Sequence, residues 1–77
     1  MFYTYILKLE NGTFYIGYSH DLKNRFKEHL NCEVHQTINQ NPRLIFYAAF
    51  ESKLKALEFE KYLKSSSGFA FRNKRLI

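Results

Sequence analysis

Tyr5, Tyr15, Arg25, His29 and Glu60 are the residues of this chain whose types and spacing could do chemistry together. Phenols and an imidazole can pass protons, a guanidinium can grip a phosphate through a fork of hydrogen bonds, and a carboxylate can hold a hard cation. Each residue also has a plainer reading. A ring in a strand is core more often than chemistry, Arg25 could be a solvated surface arginine, and His29 could serve the last carbonyls of a helix. Glu60 could be half of a buried salt bridge to an arginine such as Arg25. The choice depends on whether the elements that carry these residues bring them to one place.

For the tyrosines this is a question of parity, because side chains alternate faces along a strand. Phe2 to Leu9 and Thr13 to Tyr18 are aromatic, β-branched or aliphatic runs on either side of Glu10-Asn11-Gly12, which signals a hairpin. A two-residue Asn11-Gly12 turn sets Glu10 against Thr13 and Tyr5 against Tyr18, with Tyr5 and Tyr15 on opposite faces. A three-residue Glu10-Asn11-Gly12 loop with a left-handed Gly12 sets Leu9 against Thr13, so that Tyr5 and Tyr15 share a face. The second arrangement is favoured. It places Gly17 opposite Tyr5, where a missing side chain leaves room for a phosphate to approach backbone.

Leu22, Phe26 and Leu30 recur on one helical face and predict a helix over about 20 to 31, with Ser19 as cap and Asp21 in the first turn. Arg25 and His29, one turn apart, flank that stripe at the boundary between core and water. Cys32 to Pro42 is mostly polar and reads as a loop. The apolar run Leu44 to Phe50 reads as a third strand buried on both faces. Ala56, Leu57, Phe59 and Leu63 predict a second helix from Lys53 to Lys64, in which Glu60 points inward and Glu58 outward. An inward carboxylate is costly unless paired or bound to metal. The run Ser65 to Gly68 ends that helix, and Phe69-Ala70-Phe71 with the basic end Arg72, Lys74 and Arg75 folds back on the same domain. The order strand, strand, helix, strand, helix gives an α+β class, a small three-stranded, mostly antiparallel sheet flanked by helices, as one domain over residues 1–77.

A chain of 77 residues has a small core, and burial of only about 60% of its unfolded surface makes large side chains useful. Eight Phe and six Tyr supply them. Twelve Lys and Arg against seven Asp and Glu leave a formal charge of +5, which suits a phosphate-rich partner as well as plain solubility. Cys32 is the sole cysteine, which excludes an intramolecular disulfide or a thiolate zinc cluster. No apolar stretch is long enough for a membrane span and the start lacks a secretory signal, so the cytoplasm is the expected location.

Taken together, Tyr3-Thr4-Tyr5, the literal Tyr15-Ile16-Gly17, Arg25 in Asp21-Leu22-Lys23-Asn24-Arg25, and Glu60 in Ala56-Leu57-Glu58-Phe59-Glu60-Lys61 resemble the GIY-YIG nuclease family. The likeness is to its short stand-alone bacterial members and covers nearly the whole chain. The first motif lacks its usual Gly-Ile, and Tyr18 follows Gly17 where the DNA-repair branch tends to carry a lysine. The resemblance implies an endonuclease that hydrolyses DNA phosphodiester bonds with Mg²⁺ or Mn²⁺. Glu60 would be the metal ligand, Arg25 would bind the scissile phosphate, and Tyr5 and Tyr15 would jointly handle the proton of the attacking water. His29 fits the histidine found at this helix position in the homing-endonuclease branch, and Asn73 lies roughly where some members place an active-site asparagine. Gly17, Tyr18 and Asn73 are the candidate substrate contacts. A phenol with a pKa near 10 is only about 0.1% ionised at pH 7, so either the metal and Arg25 depress its pKa or a relay through Tyr15 or His29 accepts the proton. The implied partner is double-stranded or branched DNA in repair, recombination or processing, with a partner protein for targeting. The alternative is a non-catalytic nucleic-acid-binding module of the same fold.

Overall fold

The computed structural model describes residues 1–31, 37 and 39–76. Its elements in chain order are β1 (Phe2–Lys8), β2 (Phe14–Ser19), α1 (Leu22–Leu30), β3 (Arg43–Phe50), α2 (Lys53–Leu63) and α3 (Ser66–Arg75). β1 is the central strand of a three-stranded sheet in the order β2-β1-β3, and both pairings are antiparallel. Cys32, Val34 and Ile38 of the expected loop lie outside the described residues.

The hairpin loop has three residues. Lys8 pairs with Phe14 and Tyr5 with Gly17, and the Leu9 N–H donates to the Thr13 carbonyl at 2.8 Å. Gly12 has φ 89°, a conformation that costs any residue with a Cβ about 1–2 kcal/mol. Asn11 Oδ1 accepts from both the Thr13 N–H and the Thr13 hydroxyl, at 3.0 and 2.6 Å. The loop is held from outside as well, since the Glu10 N–H donates to the Gln40 carbonyl at 2.8 Å. Tyr5 and Tyr15 therefore share one face of the sheet.

That face carries a core of Tyr5, Leu7 and Leu9, against which Tyr15, Leu22, Phe26 and Leu44 pack, so α1 covers it. The opposite face buries Ile6, Ile16 and Leu63 with Phe14, Phe46, Phe59 and Leu76, so α2 and the end of α3 cover that side. The Thr4 hydroxyl, fully buried, donates to the Ala56 carbonyl and ties α2 to the central strand.

Three expectations need correction. β3 is an edge strand and is not buried on both faces. It pairs only with β1, and Tyr47 is 55% exposed; a register shift between Ile6 and Leu7 also leaves Ile45 without a partner on β1. The cap of α1 is Asp21, whose carboxylate accepts from the Asn24 N–H at 3.2 Å, while Ser19 Oγ accepts from the Asp21 N–H one step earlier. The serine run starts a third helix as well as ending the second, because Ser65 Oγ caps α3 by accepting from the Gly68 N–H at 3.1 Å. No helix among the described residues is long and apolar enough to cross a membrane.

Candidate active site

Tyr5 stands at the middle of the central strand, 1% exposed. Gly17 lies across from it on β2, and a Cβ at Gly17 would collide with the Tyr5 hydroxyl. The space expected to admit a phosphate is therefore filled by the end of the Tyr5 ring. Gly17 acts by letting that phenol extend across β2.

The Tyr5 hydroxyl meets His29 Nε2 at 2.9 Å, and His29 Nδ1 meets the Thr37 hydroxyl at 2.7 Å. Tyr15 closes the cluster, its ring centre 6.3 Å from that of Tyr5 and 5.0 Å from that of His29. His29 is fully buried, contrary to the boundary position expected from the helical wheel. The edge of the wheel points beneath Tyr5 and Tyr15, where two polar partners make burial of an imidazole tolerable. Thr37 carried no signal in the sequence, since it lies in a polar stretch without periodicity.

Burial lowers the His29 pKa from its usual value, and the Arg25 charge lowers it further against an opposing pull from Glu28. The imidazole is thus neutral at pH 7. Burial also pushes the Tyr5 phenol up to about 12, opposed by hydrogen bonding from Arg25 and reinforced by Tyr15 and Glu60. A phenol that stays protonated can donate to His29 Nε2, an arrangement that leaves Nδ1–H to donate to the Thr37 hydroxyl. Arg25 itself is held charged first by Glu28, through an Nη1 to Oε1 contact of 3.0 Å, and then by Tyr5.

Glu60 pairs with Lys64 at 3.2 Å, and Arg25 pairs with Glu28, so the salt bridge considered between Arg25 and Glu60 does not form. The Glu60 side chain is 21% exposed, whereas Glu58 lies on the outer face. Glu60 lies on α2, which covers the sheet face opposite Tyr5, and its charge is the last of the influences that raise the Tyr5 phenol. Among the described residues no three His, Cys, Asp or Glu converge, so an all-protein metal cage does not fit. A divalent cation held by one carboxylate, with water and substrate phosphate completing the shell, does fit, and that is how Mg²⁺ is commonly bound.

The fold thus gathers Tyr5, Tyr15 and His29, with Arg25 one turn before His29 on α1, whereas Glu60 sits on α2 across the sheet. Tyr18 points to the opposite sheet face and stacks on Phe2, with ring centres 6.5 Å apart, yet it borders the hollow beside Arg25 together with Asn24 and Glu28. Asn73 is exposed on α3 and borders a separate hollow with Gly12, Phe14 and Phe69. The structure does not bring it to Tyr5. Glu28 was readable as a partner three residues after Arg25 on the same helix, a spacing at which charges meet.

Residues 1–75 match the family model described as the GIY-YIG catalytic domain. The chain is 35% identical to a UPF0213 protein of Clostridium perfringens, over 99% of this chain and 80% of that one. It is 32% identical to a UPF0213 protein of Staphylococcus saprophyticus, over 84% of this chain and 82% of the relative. The solution NMR structure of a UPF0213 protein from Bacillus halodurans superposes with a TM-score of 0.61 at 28% identity, covering 99% of this chain and 87% of that one. A family model spanning nearly every residue leads to one conclusion: the chain belongs to the GIY-YIG family, a family of nucleases.

Proposed function

We propose that this chain is a divalent-metal-dependent endonuclease that hydrolyses DNA phosphodiester bonds as a single domain over residues 1–77. The observation that carries the reading is the hydrogen bond between Tyr5 and a buried, neutral His29 beside the permanently charged Arg25. With a resting pKa of about 12, Tyr5 is not an ionised base. It can instead relay: a water proton passes to the phenol oxygen while the phenol proton passes to His29 Nε2, and no free phenolate is needed. The attacking water bonds to phosphorus as the bond to the leaving oxygen breaks. Thr37 supports the charged imidazole by accepting from Nδ1–H.

Arg25 donates to the scissile phosphate and stabilises the charge that grows on it, a task suited to a planar fork. Glu60 is the residue that would hold the cation, and Lys64 keeps its carboxylate oriented meanwhile. Bound there, Mg²⁺ or Mn²⁺ would supply charge that offsets the negative charge developing in the reaction. Tyr15 packs against His29 and keeps the relay dry. Asn73 belongs to substrate binding away from this cluster, and Tyr18 to the wall of the hollow at Arg25.

The substrate reading is double-stranded or branched DNA, cut with weak sequence specificity in repair, recombination or processing in the cytoplasm, with targeting by shape or by a partner protein. Incubating the purified chain with plasmid and branched DNA tests it: cleavage with Mg²⁺ and none in EDTA is expected. Salt-sensitive binding without cleavage on every DNA structure would replace the enzyme with a binding module of the same fold.

A further inference from the structure

Arg72 is a buried charge for which the described residues provide no anion. It lies on α3, 7% exposed, with its guanidinium carbon 4.3 Å from the centre of the Phe69 ring and 5.3 Å from that of Phe14. Its Nε is buried with no hydrogen-bond partner. The ion pairs among the described residues, Arg25 with Glu28 and Lys64 with Glu60, leave it out. Burying a guanidinium without an acceptor is unfavourable, and contact with two rings offsets only part of that.

A cleft of about 460 Å³ opens beside it, with Phe14, Tyr15, Ile16, Leu63, Lys64 and Phe69 as its other walls. No carboxylate lines this cleft, and two cations do. Phe69 carries Arg72 over its ring yet remains 53% exposed, so it offers an aromatic face to solvent. Tyr15 is a wall of the cleft and also touches His29. Lys64 is a wall and also holds Glu60. Tyr15 thus joins the cleft to the cluster around Tyr5, and Lys64 joins it to Glu60.

We propose that this cleft is a subsite for single-stranded nucleic acid flanking the cleaved bond, in which Arg72 takes a backbone phosphate and Phe69 stacks an unpaired base. The inference rests on the nuclease reading for its place and on the cleft for its chemistry. An arginine with aromatic neighbours binds a strand with little regard to sequence, because every base has a stacking face and every nucleotide a phosphate. Such a subsite gives the chain a preference for DNA that presents an unpaired strand next to the cut.

Anisotropy of a short labelled oligothymidylate, mixed with the whole chain in EDTA, reads the subsite without cleavage. Phe69→Ala should weaken this binding about tenfold and leave a duplex of equal length bound as before. Arg72→Gln should lower the salt slope by about one. Because Arg72 is buried and its replacement can unfold the chain, its Nε–H signal in heteronuclear NMR of the unaltered protein is followed too. That signal should shift and saturate as the oligonucleotide is added. No binding of the oligonucleotide, a Phe69→Ala variant that binds like the parent, or an Arg72 signal that stays fixed while binding proceeds overturns the subsite. An equal response to inorganic phosphate at the same concentration overturns the assignment to a strand. Cleavage separates the two ideas: binding through Arg72 and Phe69 by a chain that cuts nothing keeps the subsite and removes the nuclease, while an unchanged KM of Phe69→Ala on a flapped substrate does the reverse.

Discussion

Burial and Arg25 lower the His29 pKa below its usual value, and a definite pH behaviour follows from the relay proposed for it. Only the neutral ring accepts the Tyr5 proton, so kcat/KM should rise as pH climbs through a value below about 6.5 and then level off near neutrality. Tyr5, pushed up to about 12, should add no alkaline limb at ordinary pH. A pH–rate profile checks both, and a rate that peaks in acid, where His29 is charged, would remove the relay. Arg25→Ala should lower kcat by about 10²- to 10³-fold, the usual cost of removing a donor to developing charge. Its effect on stability should stay under about 1 kcal/mol, because its pair with Glu28 is partly exposed. Single-turnover rates and urea denaturation of the same variant separate the two effects.

At the scale of elements, the hairpin was legible because strand periodicity is two and Gly12 could take the left-handed turn that sets Tyr5 against Gly17. The burial of β3 was not, since an apolar run such as Leu44 to Phe50 looks alike in a central strand and in an edge strand with large side chains. The third helix was hidden by a residue with two roles. Ser65 Oγ donates to the Tyr62 carbonyl at 2.6 Å at the end of α2 and accepts from the Gly68 N–H at the start of α3. A stop signal and a start signal coincided, and the stop was the easier to see. Ser65→Ala should therefore cost about 0.5–2 kcal/mol, the range for losing a helix cap, measured by urea denaturation. In the site, the helical wheel could choose Glu60 over Glu58 and the family motif singled out Arg25, whereas the Thr37 contact depends on a segment whose polar residues carry no period.

The whole molecule is a sheet with α1 on one face and α2 and α3 on the other, and with cations on both sides of the tyrosine hairpin. Its charge of +5 should make DNA binding weaken steeply with salt, with a log–log slope that counts the phosphates neutralised. A titration over a range of salt concentrations measures it, and a slope near zero would mean that the charge serves solubility alone. The central claim is that Tyr5, His29, Arg25 and Glu60 form one hydrolytic site. The most direct measurement compares single-turnover cleavage of branched DNA in Mg²⁺ by the parent chain and by Glu60→Ala, with matched folding shown by circular dichroism. The parent should cut at a rate that EDTA abolishes, and Glu60→Ala should be slower by about 10²-fold or more; equal rates for the two proteins would remove Glu60 from the hydrolytic site.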